Sequence, residues 1–216
     1  TLGYFNTAKD TALIPYRERM SVKPEDDAML CTSSGTTGEP KLIAHTHEYL
    51  HELCSFNHKA LDFVEEDRVL HLNSFNHGSS PTVFLLPSLK VCKRHYSYQT
   101  YSVDLESFER HQWNRMVELM KKDGITKTLC YANHITDKLL TTLEDNDWYM
   151  PDLTLMVLGF LNPQWIRYAK EGRIKGVVSI FGCSEVGGPI FLSKIDKDTE
   201  DFNPLYLGQP IENVFK

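Results

Sequence analysis

Long apolar runs are missing from this chain. No stretch among its 216 residues approaches the roughly 18 that a membrane-crossing helix needs. The first residues also lack the charged, apolar and small-residue succession of a secretory signal. Cysteine is sparse and irregular. Cys31, Cys54, Cys92, Cys130 and Cys183 lie far apart with no CxxC pair, which argues against a disulfide framework and a cysteine-rich zinc site. Small buried thiols in a reducing compartment are expected instead, with the cytoplasm as the location. Positive charge is in deficit, and a formal net charge of −6 leaves no basic footprint for nucleic acid or acidic membranes. An initiator Met is lacking as well, since the chain starts at Thr1, which suggests a processed, trimmed or excised segment. What remains is 41% hydrophobic and 24% charged, the composition of a soluble globular protein. The length suffices for one domain or one large subdomain.

Neither repeats nor low-complexity tracts interrupt the chain. Short apolar runs alternate with longer segments of helical period. Strands are predicted over residues 27–33, 41–45, 68–72, 125–131, 153–158 and 176–181, with another at 91–95. Thr46 stands where a helix N-cap should be, ahead of Tyr49, Leu50, Leu53 and Phe56. Residues 83–89 read as helical. The clearest helix runs over 105–122, with Leu105, Phe108, Met116, Leu119 and Met120 on one side, and stops at Asp123-Gly124. Further helices are predicted near 135–143 and over 163–171, the latter opening on a proline. Such alternation predicts an α/β fold, a largely parallel sheet covered by helices. In open sheets of this kind ligands sit at the carboxyl ends of the strands.

Two polar stretches follow predicted strands. The first is Thr32-Ser33-Ser34-Gly35-Thr36-Thr37-Gly38-Glu39-Pro40-Lys41. Its hydroxyls are donors without bulk, its glycines let backbone N–H groups approach phosphate oxygens, and Lys41 adds a fixed positive charge. A Ser/Thr/Gly surface turn has the same composition. The usual P-loop of nucleotide hydrolases is excluded, because Glu39-Pro40 separate Gly38 from Lys41 and Leu42 follows it. The second stretch is Phe181-Gly182-Cys183-Ser184-Glu185, a strand-to-turn corner ending in a carboxylate.

Leu30 through Lys41 resembles the phosphate-loop signature of the acyl-adenylate-forming superfamily, which comprises acyl-CoA synthetases, luciferases and peptide-synthetase adenylation domains. Every specified position of that pattern is met, and Leu42-Ile43-Ala44-His45-Thr46-His47 is similar to the strand and "Thr-His" helix start that follow it. Phe181–Glu185 resembles the family's aromatic-Gly-x-Thr-Glu motif, with Ser184 in place of Thr. Val157-Leu158-Gly159 resembles the lead-in to the adenine segment, with Phe160 replacing a small residue, and Leu207-Gly208-Gln209-Pro210 resembles the later Gly-x-Pro turn. Residues 74–79 fall where the family has an aromatic substrate-side motif. There His77 or Asn76 stands in for a gating His, and no Asp is present to meet a substrate amine, which argues against an α-amino acid. Tyr131-Ala132-Asn133 takes the place of a proline-containing wall.

The resemblance implies ATP and Mg²⁺ as cofactors and a carboxylic acid as substrate, activated as an acyl-adenylate and passed to the thiol of CoA or a carrier protein: an acid-thiol ligase. It places the ATP phosphates on Thr32, Ser33, Ser34, Gly35, Thr36, Thr37 and Gly38. Lys41 is then a loop-anchoring or phosphate-facing cation. Gly159, Phe181, Gly182 and Ser184 become the remaining nucleotide contacts, and Glu185 the magnesium ligand. Thr36, Lys41, His77 and Glu185 make up the catalytic set. Residues 25–216 are read as a partial AMP-binding subdomain of the family's N-terminal body, and 1–24 as a lead-in. The family's ribose-binding Asp segment, its C-terminal lid and most of the body ahead of the loop have no counterpart, so these would be partner subdomains. An incomplete nucleotide-binding fragment is accordingly a reading of its own.

A rival motif lies within the same region. His47-Glu48-Tyr49-Leu50-His51 is a literal HExxH, which on a helix puts two imidazoles one turn apart with Glu as a base for zinc-bound water. A zinc peptidase is the reading from a different class. Three fixed positions in a His-rich chain arise easily by chance, and no third-ligand signal follows.

Overall fold

The computed structural model describes residues 21–33, 41–72, 80–97, 110–130, 133–200, 203 and 208–211. Strands β1 (Asp27–Ser33) and β2 (Lys41–Thr46) form an antiparallel hairpin. Thr46 caps helix α1 (His47–Ala60), its hydroxyl accepting from the Tyr49 N–H at 3.2 Å, as the sequence predicts. Strand β3 (Arg68–His71) is followed by a π-helical segment (Ser80–Leu85), α2 (Leu86–Val91) and β4 (Arg94–Ser97). Next come α3 (Arg110–Asp123), β5 (Lys127–Cys130), α4 (Asn133–Asp145), β6 (Met150–Leu158) and α5 (Pro163–Lys170). The chain then runs through β7 (Ile174–Cys183), β8 (Gly188–Asp196) and β9 (Gln209–Pro210).

Among the described residues, one sheet has the order β4-β3-β5-β6-β7-β8-β9. Strands β4 through β7 are parallel, and β8 and β9 join antiparallel at one edge. The largely parallel α/β sheet is therefore as expected, while the two antiparallel strands are an addition. Differences of detail are local. Residues 83–89 divide between a π turn and α2, and β4 starts at Arg94, so Val91 ends a helix. On α1 Leu53 and Asn57 are buried, while Leu50 and Phe56 are half-buried.

Period-two alternation along buried strands supplies two cores. Leu70, Cys130, Leu155, Val157 and Val177 point to one face, where Trp113, Met116, Leu139, Leu143 and Trp165 of α3, α4 and α5 cover them. Val69, Leu129, Met156, Val178 and Ile180 point to the other, against Val83 and Phe84 of the π segment, Cys92 and Phe63. At the amino ends of the parallel strands a buried ion pair closes the sheet. Lys127 Nζ lies 2.6 Å from Asp67 Oδ2, and Asp67 also accepts from the Thr126 hydroxyl and the Val64 N–H. No helix among the described residues is long and apolar enough to cross a membrane.

Candidate nucleotide site

A cavity of about 220 Å³ opens at the carboxyl ends of β6 and β7. Gly159, Phe181, Gly182 and Ser184 line it together with Leu158 and Gly187. The structure thus brings together four predicted residues from two separate segments. Gly159 has φ +88°, which L side chains rarely adopt, and nothing lies within 4 Å of where its Cβ would be, leaving that wall open. Its N–H donates to Ile180 O at 2.9 Å, and the Ser179 hydroxyl donates to its carbonyl, joining the ends of β6 and β7. At Gly182 a Cβ would stand 2.2 Å from the Gly188 carbonyl oxygen, so only glycine fits where β7 bulges against β8. Phe160, the residue departing from the family's pattern, is 54% exposed beside Gly159.

The turn joining β7 to β8 carries Ser184 and Glu185. Glu185 is exposed. Burial first, and then the Glu185 carboxylate, push the Cys31 thiol of β1 above its ordinary range. The hairpin and α1 both touch the same turn directly. His45 Nε2 is 3.0 Å from Ser184 O, and the Tyr49 hydroxyl donates to Val186 O at 2.7 Å. Neither contact was anticipated from the sequence. The signal available was the four-residue spacing of Tyr49, Leu53 and Asn57, which puts them on one side of α1, with His45 four residues ahead near the end of β2.

Of the predicted phosphate contacts, Thr32 lies exposed near the end of β1, and Ser33 pairs in register with Lys41, which opens β2 on the surface. This last ladder pair brackets the loop. Ser34, Gly35, Thr36, Thr37 and Gly38 lie outside the described residues, as do Asn76 and His77 of the substrate-side motif and Tyr131 and Ala132 of the wall. Gly208 precedes β9, and Asn133 opens α4, exposed. The HExxH residues His47, Glu48 and His51 are all exposed on α1. Among the described residues no group of three His, Cys, Asp or Glu side chains is arranged to hold a metal, so the pair has no third ligand there.

Solved structures share this architecture. o-Succinylbenzoate CoA synthetase (MenE) from Bacillus subtilis, in complex with ATP and magnesium ion, superposes with a TM-score of 0.66 at 17% identity, over 88% of this chain and 37% of that one. The N-terminal subdomain of Klebsiella oxytoca NpsA, in complex with anthranilyl-AMSN, gives 0.64 at 20% identity, over 88% and 47%. The adenylation domain of a keto acid-selecting NRPS module, bound to keto acyl adenylate, gives 0.65 at 19% identity, over 82% and 34%. The chain thus spans between a third and a half of the length of these proteins. The AMP-binding enzyme family model matches residues 4–214. With nearly every residue inside that match, the chain belongs to the family of AMP-binding enzymes.

Proposed function

We propose that this chain is the nucleotide-binding part of an enzyme that activates a carboxylic acid as its acyl-adenylate, using ATP and Mg²⁺. The observation that carries this is the convergence of Gly159 with Phe181, Gly182 and Ser184 on one cavity at the carboxyl end of the sheet. That is where open α/β sheets take their ligands. The hairpin bearing Thr32, Ser33 and Lys41 is tied to the turn of Ser184 and Glu185 through His45.

In the proposed reaction a carboxylate oxygen of the acid attacks the α-phosphorus of ATP. A new P–O bond forms, the α–β bridge breaks, and pyrophosphate leaves. Little covalent chemistry falls to the protein, which holds two anions in line and offsets their charge. Ser33, Ser34, Gly35, Thr36, Thr37 and Gly38 would cradle the phosphates, with Lys41 anchoring the loop or facing them. Ser184 would contact the α-phosphate, while His77 or Asn76 would stand at the acyl side. The open wall at Gly159 and the exposed carboxylate of Glu185 fit a nucleotide carrying a hard cation. Glu185 would hold magnesium, which when bound neutralises charge on the phosphate oxygens.

The finer proposal is an acid-thiol ligase passing the acyl group to CoA or a carrier-protein thiol. Residues 25–216 would form the AMP-binding subdomain after a lead-in over 1–24. Five free cysteines fit a reducing compartment such as the cytoplasm.

Calorimetric titration of ATP with Mg²⁺ tests the reading. The wild-type chain binds Mg²⁺-ATP. Thr36→Ala/Lys41→Ala abolishes binding, and Glu185→Ala removes its magnesium dependence. Absence of binding, or binding indifferent to these changes, refutes the proposal. One zinc per chain in the same sample would restore the HExxH reading.

A further inference from the structure

Tyr49, Leu53 and Asn57 recur at the four-residue spacing that aligns side chains along one face of α1, His45 of β2 lies four residues ahead of them, and each of the four meets the β7–β8 turn or its immediate neighbour. His45, only 3% exposed, has Nε2 3.0 Å from the Ser184 carbonyl oxygen. A carbonyl only accepts, so this nitrogen carries the proton. The Tyr49 ring stacks on the His45 ring with centroids 5.3 Å apart and planes inclined by 10°, and its hydroxyl donates to Val186 O at 2.7 Å. Leu53 closes on the far end of the turn, where a Cβ at Gly187 or Gly188 would fall 2.9 Å from its methyl groups. Asn57, fully buried, donates from Nδ2 to Thr82 O in the π segment at 3.0 Å, and its carboxamide also borders Gly188.

These contacts fall on both sides of Glu185. The Ser184 carbonyl belongs to the peptide plane before it and the Val186 carbonyl to the plane after its neighbour. The Gly187 N–H closes the turn on Cys183 O at 3.0 Å. The backbone is held while the carboxylate itself stays exposed. A helix that needed only to be anchored would have its hydrophobic contact at Leu53. Two side-chain hydrogen bonds to carbonyls flanking one carboxylate do something further: they set its position.

We infer that Tyr49 and His45 are positioning residues for Ser184 and Glu185, fixing the turn so that the carboxylate meets the magnesium of bound ATP without reorganising. The inference rests on the proposed role of Glu185. Its structural half, the rigidity of the turn, is measurable without any nucleotide.

Tyr49→Phe keeps the ring and its stacking and removes one hydroxyl. Tyr168→Phe removes a comparable hydroxyl, bonded to Glu144 on the opposite helical layer, and is the matched control. Hydrogen exchange at the 184–188 amides is followed without nucleotide, and ATP affinity is measured with Mg²⁺ and with a chelator. Losing one hydrogen bond to a carbonyl predicts about three- to tenfold faster exchange in the turn and a similar loss of Mg²⁺-ATP affinity. Affinity in chelator stays as in wild type, and Tyr168→Phe changes neither quantity. His45→Gln, which keeps an N–H donor, retains more Mg²⁺-dependent affinity than His45→Leu. Unchanged exchange at 184–188 in Tyr49→Phe overturns the inference, as does an affinity loss equal with and without Mg²⁺. A wild-type chain that shows no Mg²⁺-ATP binding overturns the role given to Glu185, even where the exchange result holds.

Discussion

At the scale of single residues, the site depends on positions where chemistry leaves no alternative. Gly182 is one. An added methyl would meet the backbone oxygen of Gly188, which cannot turn aside as a side chain would. Gly182→Ala is therefore expected to cost about 1–3 kcal/mol, typical of forced overpacking, measurable as a lower urea midpoint. An unchanged midpoint would mean that β7 and β8 separate freely there. His71 is another. Its Nε2 lies 3.3 Å from Nδ1 of His95, whose own Nε2 is 3.0 Å from Cys92 O and must carry the proton. Burial first, and then His95, lower the His71 pKa from its ordinary 6.5 to about 4. Between those values the unfolded chain takes up a proton that the folded one refuses. Stability therefore falls as pH drops from 6.5 towards 4 and the loss is complete below, amounting to about 3 kcal/mol at most. Urea titrations across this range should show the slope in wild type and a flatter one in His71→Gln; identical slopes would remove His71 from the account.

Among the elements, helices declared themselves through their ends. Thr46 and Asn162 each accept a hydrogen bond from an N–H of the first turn, and α3 stops at Gly124, whose N–H returns to Lys121 O. Strands buried on both faces were legible as apolar runs, since β5, β6 and β7 each serve two cores. Strand β8 was not. It opens on Gly188-Pro189, a pair that reads as loop, and what makes it a strand is pairing with β7 from Cys183↔Gly188 to Gly176↔Asp196. The same reason hid half of the candidate site. Gly159 and Phe181–Glu185 stand in recognisable local patterns, whereas the link from His45 to Ser184 spans 139 positions and leaves no local trace. Asp67 was equally silent, an ordinary acid until folding surrounds it with Lys127, Thr126 and the Val64 N–H. Asp67→Ala strands a buried ammonium and should cost about 3–5 kcal/mol by chemical denaturation. A loss below about 1 kcal/mol, the range of surface pairs, would show that water reaches Lys127.

For the molecule as a whole, the five thiols report on the architecture. Cys130 and Cys92 are buried, and desolvation pushes their pKa values up to about 12 and about 11. Cys31 and Cys54 are half-buried and shifted upward, by desolvation first. Cys183 is exposed on the wall of the cavity. A thiol-reactive dye should label Cys183 first in the native chain and all five cysteines in denaturant. Mg²⁺-ATP should slow the Cys183 reaction and leave Cys54 unaffected. Labelling of Cys130 at a comparable native rate would contradict the packing, and lack of protection would place the nucleotide elsewhere.

The clasp of β2 and α1 on the β7–β8 turn has a consequence in time. After β4, each new strand joins the same advancing edge, β5 to β3, then β6, β7, β8 and β9, so the sheet is able to assemble in the order of synthesis. The hairpin and α1 precede every strand of this sheet, yet their contacts to Ser184 and Val186 wait for residues 139 and 137 positions later. Such distant closures are the slow events of folding. On a ribosome the hairpin bearing Lys41 would emerge well before the turn it docks on, and the proposed phosphate loop would be joined to the proposed magnesium ligand only once β7 had been laid down.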